Sequence, residues 1–176
     1  MFFNSDSEKE PESKTKTNIL DDTNFARDCI IDTDLEIMIP ESYIENISER
    51  IKLYRELDNI QDEENLKQFE AQLIDRFGPV PSTTIELMNV VRLRWLAIKL
   101  GFERISINNE KMTIYFIANQ QSPYYQSAIF NHVLGFIQKN PRMFQMKEGK
   151  DKLSMSIENV DTVNKAINLL NKILSL

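Results

Sequence analysis

The chain is poor in the residues from which most catalytic sites are built. Its one cysteine, Cys29, excludes an internal disulfide and a cysteine-based zinc site. Its one histidine, His132, has neither the His-x-x-x-His nor the His–Glu spacing that a metal ligand or general base requires. We expect it to be a half-buried or surface side chain. Four glycines in 176 residues leave no phosphate-cradling loop, and no Gly-Lys-Ser/Thr or Gly-x-Ser-x-Gly signature occurs. No apolar run approaches the roughly 18–20 residues of a membrane span. The acidic start does not read as a signal peptide. These absences argue against an isolated catalytic domain, a bound cofactor, a metal centre and a membrane protein. They lead us to expect a soluble, cytoplasmic chain.

The net charge of −6 is unevenly spread. Residues 1–41 hold 11 acidic and 4 basic side chains, whereas residues 42–176 hold 16 and 17. The acidity therefore belongs to the leading segment, and the rest is close to neutral. An autonomous nucleic-acid binder normally carries a strong basic excess, and neither part has one. The polar stretch around Ser5–Glu12 has too little apolar surface to offset the entropy of ordering it. Residues 1–27 are expected to be an acidic flexible linker, and 28–176 a single domain that 41% apolar residues can fill with a core.

Periodicity divides that domain. Cys29–Ile31 and Leu35–Ile39 are short extended candidates leading to Pro40. Apolar residues then recur at spacings of three and four. Tyr43, Ile44, Ile47, Ile51, Tyr54 and Leu57 mark a first helix, and Leu66, Phe69, Leu73, Ile74 and Phe77 a second, with Asp62 as its N-cap. A third starts near Pro81, with Thr83 and Glu86 at capping-box spacing, and its stripe is Ile85, Met88, Val91, Trp95 and Ile98. Leu87, Val90, Leu93, Leu96 and Leu100 spread apolar surface around most of this helix, so it should lie centrally; Gly101 ends it.

The period then falls to two. Ile105 and Ile107, a turn at Asn108–Asn109, and Met112, Ile114 and Phe116 predict a hairpin. A helix from Ser122–Pro123 follows, with Ile129, Val133, Phe136 and Ile137 inward. The plan repeats through Phe144, Met146, a turn at Glu148–Lys150, Leu153, Met155 and Ile157, and a last helix led by Asp161. The fold class is α+β: three helices, then two strand–strand–helix units, with helices packed on antiparallel hairpins. Whether the two hairpins share a sheet is left open.

Several clusters invite a functional reading. Arg92, Arg94, Trp95 and Lys99 have the chemistry of stacking and phosphate contact, yet a packed tryptophan flanked by solvated cations explains them better. For Tyr124–Tyr125 we expect one ring on the sheet and one exposed. Lys139, Arg142, Lys147, Lys150 and Lys152 suit a solvated hairpin tip.

The run Leu73-Ile74-Asp75-Arg76-Phe77-Gly78-Pro79-Val80-Pro81 is more specific. Physically it is a helix stop, a rigid corner and a helix start. Asp75 falls in the last helical turn, where a carboxylate meets the negative end of the macrodipole. Its neighbours are apolar, so Asp75 and Gln72 should point outward together. A compensating partner is then either local, through Arg76 or a cation of the third helix, or lies on another module.

This run resembles the Leu-Ile-Asp-Arg-Phe-Gly motif in the C-terminal domain of bacterial transcription-repair coupling factors. Met38-Ile39-Pro40-Glu41-Ser42-Tyr43-Ile44, Arg50–Arg55, Arg92-Leu93-Arg94 and Ala97–Gly101 extend the likeness across roughly residues 36–120. One departure is Gln72, where the family often carries Glu. The full-length family resembles an ATP-dependent DNA translocase that displaces stalled RNA polymerase and recruits the excision-repair protein UvrA. The resemblance implies a non-catalytic regulatory docking domain. Such a domain autoinhibits by covering the UvrA-recruiting surface of a UvrB-like N-terminal module in the same full-length chain. Gln72, Asp75 and Arg76 are the implied docking residues. The alternatives are a nucleic-acid-binding accessory module, using the Arg92–Lys99 face or the basic turn around Lys147, and a structural cap on the motor.

Overall fold

A computed structural model of the protein describes residues 24–150 and 152–175. Most of the expected leading linker lies outside the described residues. Phe25 already packs on the core, and Ala26 is buried.

Among the described residues, eleven elements follow one another. They are β1 (Ile30–Thr33), α1 (Ile47–Asn59), α2 (Glu63–Phe77), α3 (Ser82–Leu100), β2 (Phe102–Asn108), β3 (Lys111–Phe116), a 3-10 turn (Pro123–Gln126), α4 (Ala128–Lys139), β4 (Gln145–Glu148), β5 (Leu153–Glu158) and α5 (Val163–Leu174). The two hairpins share one five-stranded sheet of order β1-β2-β3-β5-β4. All its pairings are antiparallel except β1 with β2, which is parallel. The α+β class stands, with this parallel edge strand as the unanticipated addition.

Alternation decides which face of the sheet is covered. Ile105, Ile107, Met112, Ile114, Met155 and Ile157 point into a core shared with α3, α4 and α5. Ser106, Thr113 and Ser156, adjacent across three strands, point the other way with Asp32 and Gln145 in the same row. Asn109 and Glu110, both at positive φ, form the two-residue turn between β2 and β3, one residue later than expected.

A second, smaller core lies among the front helices. Leu53, Leu57, Leu66, Phe69 and Leu73 meet Met88 and Val91 of α3 there. The helix α3 therefore serves two cores, its first half facing α1 and α2 and its second half, through Leu93, Ala97 and Leu100, facing the sheet. This double duty explains the apolar residues around most of its circumference.

Gly101 closes α3 in the left-handed region at φ 77°. A Cβ there would stand 2.2 Å from the Tyr124 ring, so both conformation and space demand glycine. Tyr124 is fully buried, and its hydroxyl donates to the Leu100 carbonyl at 2.7 Å. Tyr125 is half-buried, with its hydroxyl on the Ile117 carbonyl, so neither tyrosine forms an exposed patch.

Five local expectations are corrected. Thr83 and Glu86 form no capping box: α3 has Pro81 at its N-cap without a side-chain bond, and buried Thr84 donates to the Met38 carbonyl instead. The tyrosine pair lies in the 3-10 turn, because Ser127 caps α4 and delays its start to Ala128. Thr162, not Asp161, caps α5, accepting from the Lys165 amide. On α1, Leu53 and Leu57 face the core, which leaves Ile47 and Ile51 on the exposed side. Leu35–Ile39 forms no strand; its Met38 and Ile39 amides bond to the Thr83 carbonyl and the Tyr54 hydroxyl.

Candidate docking surface

The end of α2 is built by local rules and then locked by a distant residue. Asp62 caps the helix start, accepting from the Asn65 amide at 2.8 Å. Gly78 ends it at φ 85°, donating its amide to the Ile74 carbonyl at 2.9 Å. The last carbonyls of a helix lack partners within it. Here the Tyr43 hydroxyl lies 3.1 Å from the Leu73 carbonyl and 2.8 Å from that of Gly78, and supplies a donor to them. The Tyr43 ring packs edge-on against Phe77 at 5.9 Å. Desolvation raises the Tyr43 phenol above its ordinary value, which keeps it a neutral donor. The Pro-Glu-Ser-Tyr-Ile segment and the Asp-Arg-Phe-Gly corner are thus two parts of one joint.

Arg76 and Asp75 have different circumstances. Arg76 reaches across to Glu49 of α1 at 2.7 Å, and its guanidinium lies 4.7 Å from the Phe77 ring centre. It is committed to holding α1 against α2. Asp75 is exposed on the outer side of the final turn, and no described residue forms an ion pair with its carboxylate. Of the two local partners considered for it, Arg76 is engaged elsewhere, and the α3 arginines are also occupied. Gln72, one turn earlier, is exposed and lines a cleft of about 370 Å³ with Glu56, Asn59 and Gln68. The structure therefore groups Gln72 and Asp75 on one solvent-facing side, with Arg76 turned toward α1.

The competing basic clusters differ in what their cations do. Arg92 makes a two-pronged contact with Glu63, at 2.9 and 2.7 Å, tying α3 to the start of α2. Those bonds hold the Glu63 carboxyl below its ordinary value and raise the Arg92 guanidinium. Arg94 binds the Asp58 carboxylate at 2.7 Å and its carbonyl at 3.0 Å. Trp95 is half-buried and donates its Nε1 hydrogen to the Ile60 carbonyl at 3.3 Å. These arginines are structural bridges and not the solvated cations expected from the sequence. Lys147, Lys150 and Lys152 are exposed at or beside the β4–β5 turn, whereas Lys139 and Arg142 are exposed at the end of α4 and in the connection to β4, so the expected cluster does not share one hairpin tip. His132 is half-buried, with Nε2 2.6 Å from the Ile173 carbonyl, joining α4 to α5. Among the described residues, no group of three or more potential metal ligands occurs, and no helix is long and apolar enough to cross a membrane.

Sequence reasoning missed Tyr43 and Glu49 as supports of this surface. Both act from more than 25 residues away in the chain, a distance at which helical periodicity carries no signal.

Comparison with known proteins agrees with this geometry. The TRCF domain family matches residues 33–127, which contain the whole α1–α2–α3 assembly and the β2–β3 hairpin. A transcription-repair-coupling factor of Buchnera aphidicola is 31% identical over 117 residues, covering 66% of this chain and 14% of that protein. That of Escherichia coli is 28% identical over 114 residues, 62% of this chain and 9% of that protein. The chain thus spans a small fraction of these relatives' length. A crystal structure of the C-terminal domain of transcription-repair coupling factor superposes with a TM-score of 0.66 at 16% identity, covering 84% of this chain and 92% of that one. The fold likeness thus extends past the family match into the second hairpin unit. By sequence across its front half, and with a fold to match, this chain belongs to the TRCF domain family of the transcription-repair coupling factors.

Proposed function

We propose that this chain is a non-catalytic regulatory docking domain, which uses Gln72 and Asp75 to dock on a UvrB-like module of a full-length coupling factor. Docking covers the UvrA-recruiting surface of that module, and remodelling at stalled RNA polymerase uncovers it. The carrying observation is the Asp75 carboxylate, exposed on the last turn of α2 without a described counter-ion. It stands where the helix macrodipole disfavours it. A basic patch on a docked module supplies the missing charge. Gln72 adds a neutral polar contact where the family's glutamate would add a second charge. Arg76 and Tyr43 are positioning residues, fixing the helix end through Glu49 and the Leu73 and Gly78 carbonyls. A tethered interface of this kind needs only modest affinity, because the linker raises the effective concentration.

The nucleic-acid reading loses support because Arg92 and Arg94 are engaged by Glu63 and Asp58. Binding of the chain to a separately purified UvrB-like module tests the proposal, using wild type and Asp75→Lys at two salt concentrations. Affinity should fall about tenfold or more on charge reversal, the equivalent of about 1.4 kcal/mol, and should fall again with salt. Equal affinity of the two proteins would remove Asp75 from the interface. No binding by a folded chain would leave the structural-cap reading.

A further inference from the structure

The strand β4 ends the sheet on one side, and no described strand pairs with its outer edge. All four of its residues are exposed. Register decides which main-chain groups that edge leaves open. In an antiparallel pair, opposed residues alternate between exchanging main-chain bonds and turning those groups away from each other. The Gly149 amide donates to the Lys152 carbonyl at 2.9 Å, so that pair exchanges bonds. Lys147–Ser154 and Gln145–Ser156 follow in step, and Met146–Met155 and Glu148–Leu153 are the alternates. Counting from the far side of the sheet, where the Asp34 amide donates to the Ile107 carbonyl, gives the same assignment. The N–H and C=O groups of Met146 and Glu148 therefore point out of the edge, a template for one more strand.

The side chains define the strand that fits. Met146 lies opposite buried Met155 yet is 39% exposed, and Met143, just ahead of the strand, is 42% exposed. Lys147 stands on the other face, opposite Ser154. Residues 139–152 hold five basic and two acidic side chains. Arg142, Lys147 and Lys150 form no ion pair with any described residue. A second copy of this edge would bring these cations against one another, and an edge lysine works against such self-pairing. A strand carrying carboxylates meets attraction instead.

We propose that β4 accepts an extended acidic segment of a partner protein as a sixth strand of the sheet. Apolar side chains of that segment alternate with carboxylates, because successive residues of a strand face opposite sides. The apolar ones lie beside Met146, and the carboxylates lie beside Lys147 and toward Arg142 and Lys150 at the two ends. Main-chain bonds are exchanged at Met146 and Glu148. This surface shares no residue with that of Gln72 and Asp75 and does not depend on it.

The whole 176-residue chain and a synthetic peptide, Asp-Val-Asp-Val-Asp-Val-Asp, provide the test. In the free protein the Met146 and Glu148 amides should exchange hydrogen about tenfold faster than those of Gln145 and Lys147. Saturating peptide should slow the first two about tenfold and leave the second two unchanged. Glu148 separates main-chain pairing from charge. Glu148→Gln removes a repelling carboxylate and should strengthen binding about twofold. Glu148→Pro removes the same carboxylate together with the outward N–H, at an edge position where proline is tolerated. It should bind about tenfold more weakly than Glu148→Gln. Protection of Gln145 and Lys147 in the proline variant checks that β4 still pairs with β5. A peptide N-methylated at its valines loses its own donors at fixed charge and should also bind about tenfold more weakly. Equal binding of the methylated and unmethylated peptides, or of the proline and glutamine variants, means attraction by charge alone and overturns the proposal. So do Met146 and Glu148 amides that stay fast in the wild type at millimolar peptide. Slowing that appears without peptide and grows with protein concentration assigns the edge to a second copy and overturns it too.

Discussion

The helical half and the sheet half of this molecule are held together by different means. Among the described residues, the sheet half buries twenty-six in one cluster, including Phe102, Phe116, Tyr124 and Phe130 packed ring against ring. Only nine line the core of the helical half, and two of those come from α3. In place of apolar mass the helical half has ion pairs between helices: Arg76–Glu49, Arg92–Glu63 and Arg94–Asp58. Partly exposed pairs like these contribute little to stability, about 0–1 kcal/mol each, but they set which side chains face each other. The sheet half therefore supplies most of the stability. The helical half, leaning on α3, supplies exposed surface of defined shape.

This contrast can be broken most directly by truncating each core in turn. Phe116→Ala should cost about 4 kcal/mol, and both halves should unfold together in urea. Leu73→Ala should cost about 3 kcal/mol, with the loss concentrated in α1 and α2. Hydrogen exchange read residue by residue separates the outcomes, since amides of β2, β3 and β5 should stay protected in the Leu73 variant. Uniform loss of protection there would show that the two cores form one cooperative unit.

A smaller effect sharpens the comparison at the corner itself. Tyr43→Phe leaves the Leu73 and Gly78 carbonyls without their side-chain donor and should cost about 1 kcal/mol. Faster exchange should be confined to the end of α2, and affinity for a UvrB-like module should fall although the Asp75 charge remains. The smallest effect concerns acid. Glu63 is held below its ordinary value by Arg92, so the folded state binds its proton less readily than the unfolded one does. Its contribution is present above the unfolded value and is lost as pH falls through the folded one. Being largely solvent-screened, it should amount to about 0.5 kcal/mol. Comparing urea midpoints of wild type and Glu63→Gln at neutral and mildly acidic pH checks it.

What could be read from the residues was what local geometry determines. The α2 stop at Gly78, the α3 stop at Gly101 and the alternation in β2, β3 and β5 follow from neighbouring side chains. The outward placement of Gln72 and Asp75 follows in the same way from a period of 3.6. On α1, however, apolar residues cover more than one face: periodicity placed Leu57 correctly, but it chose Ile47 and Ile51 and passed over Leu53, which packing buries. The parallel pairing of Ile30–Thr33 with Arg104–Ile107 joins segments some seventy residues apart, and an isolated short apolar run gives no hint of it. The ion-pair choices were hidden for the same reason: Glu49, Asp58 and Glu63 are ordinary helix-surface acids until the helices are placed.

That parallel pairing has a mechanical consequence. Asp32 pairs with Arg104, Asp34 accepts from the Asn109 amide, and the Asp34 amide donates to the Ile107 carbonyl. Because the pairing is parallel, the chain leaves β1 beside Ile107, at the far end of β2 from Phe102, where it returns from α3, and the helical half spans the length of this seam. Traction applied to the chain ahead of Ile30 is taken up by the β1–β2 seam before it reaches α1. That seam shields the helical half from load applied at this end until it shears.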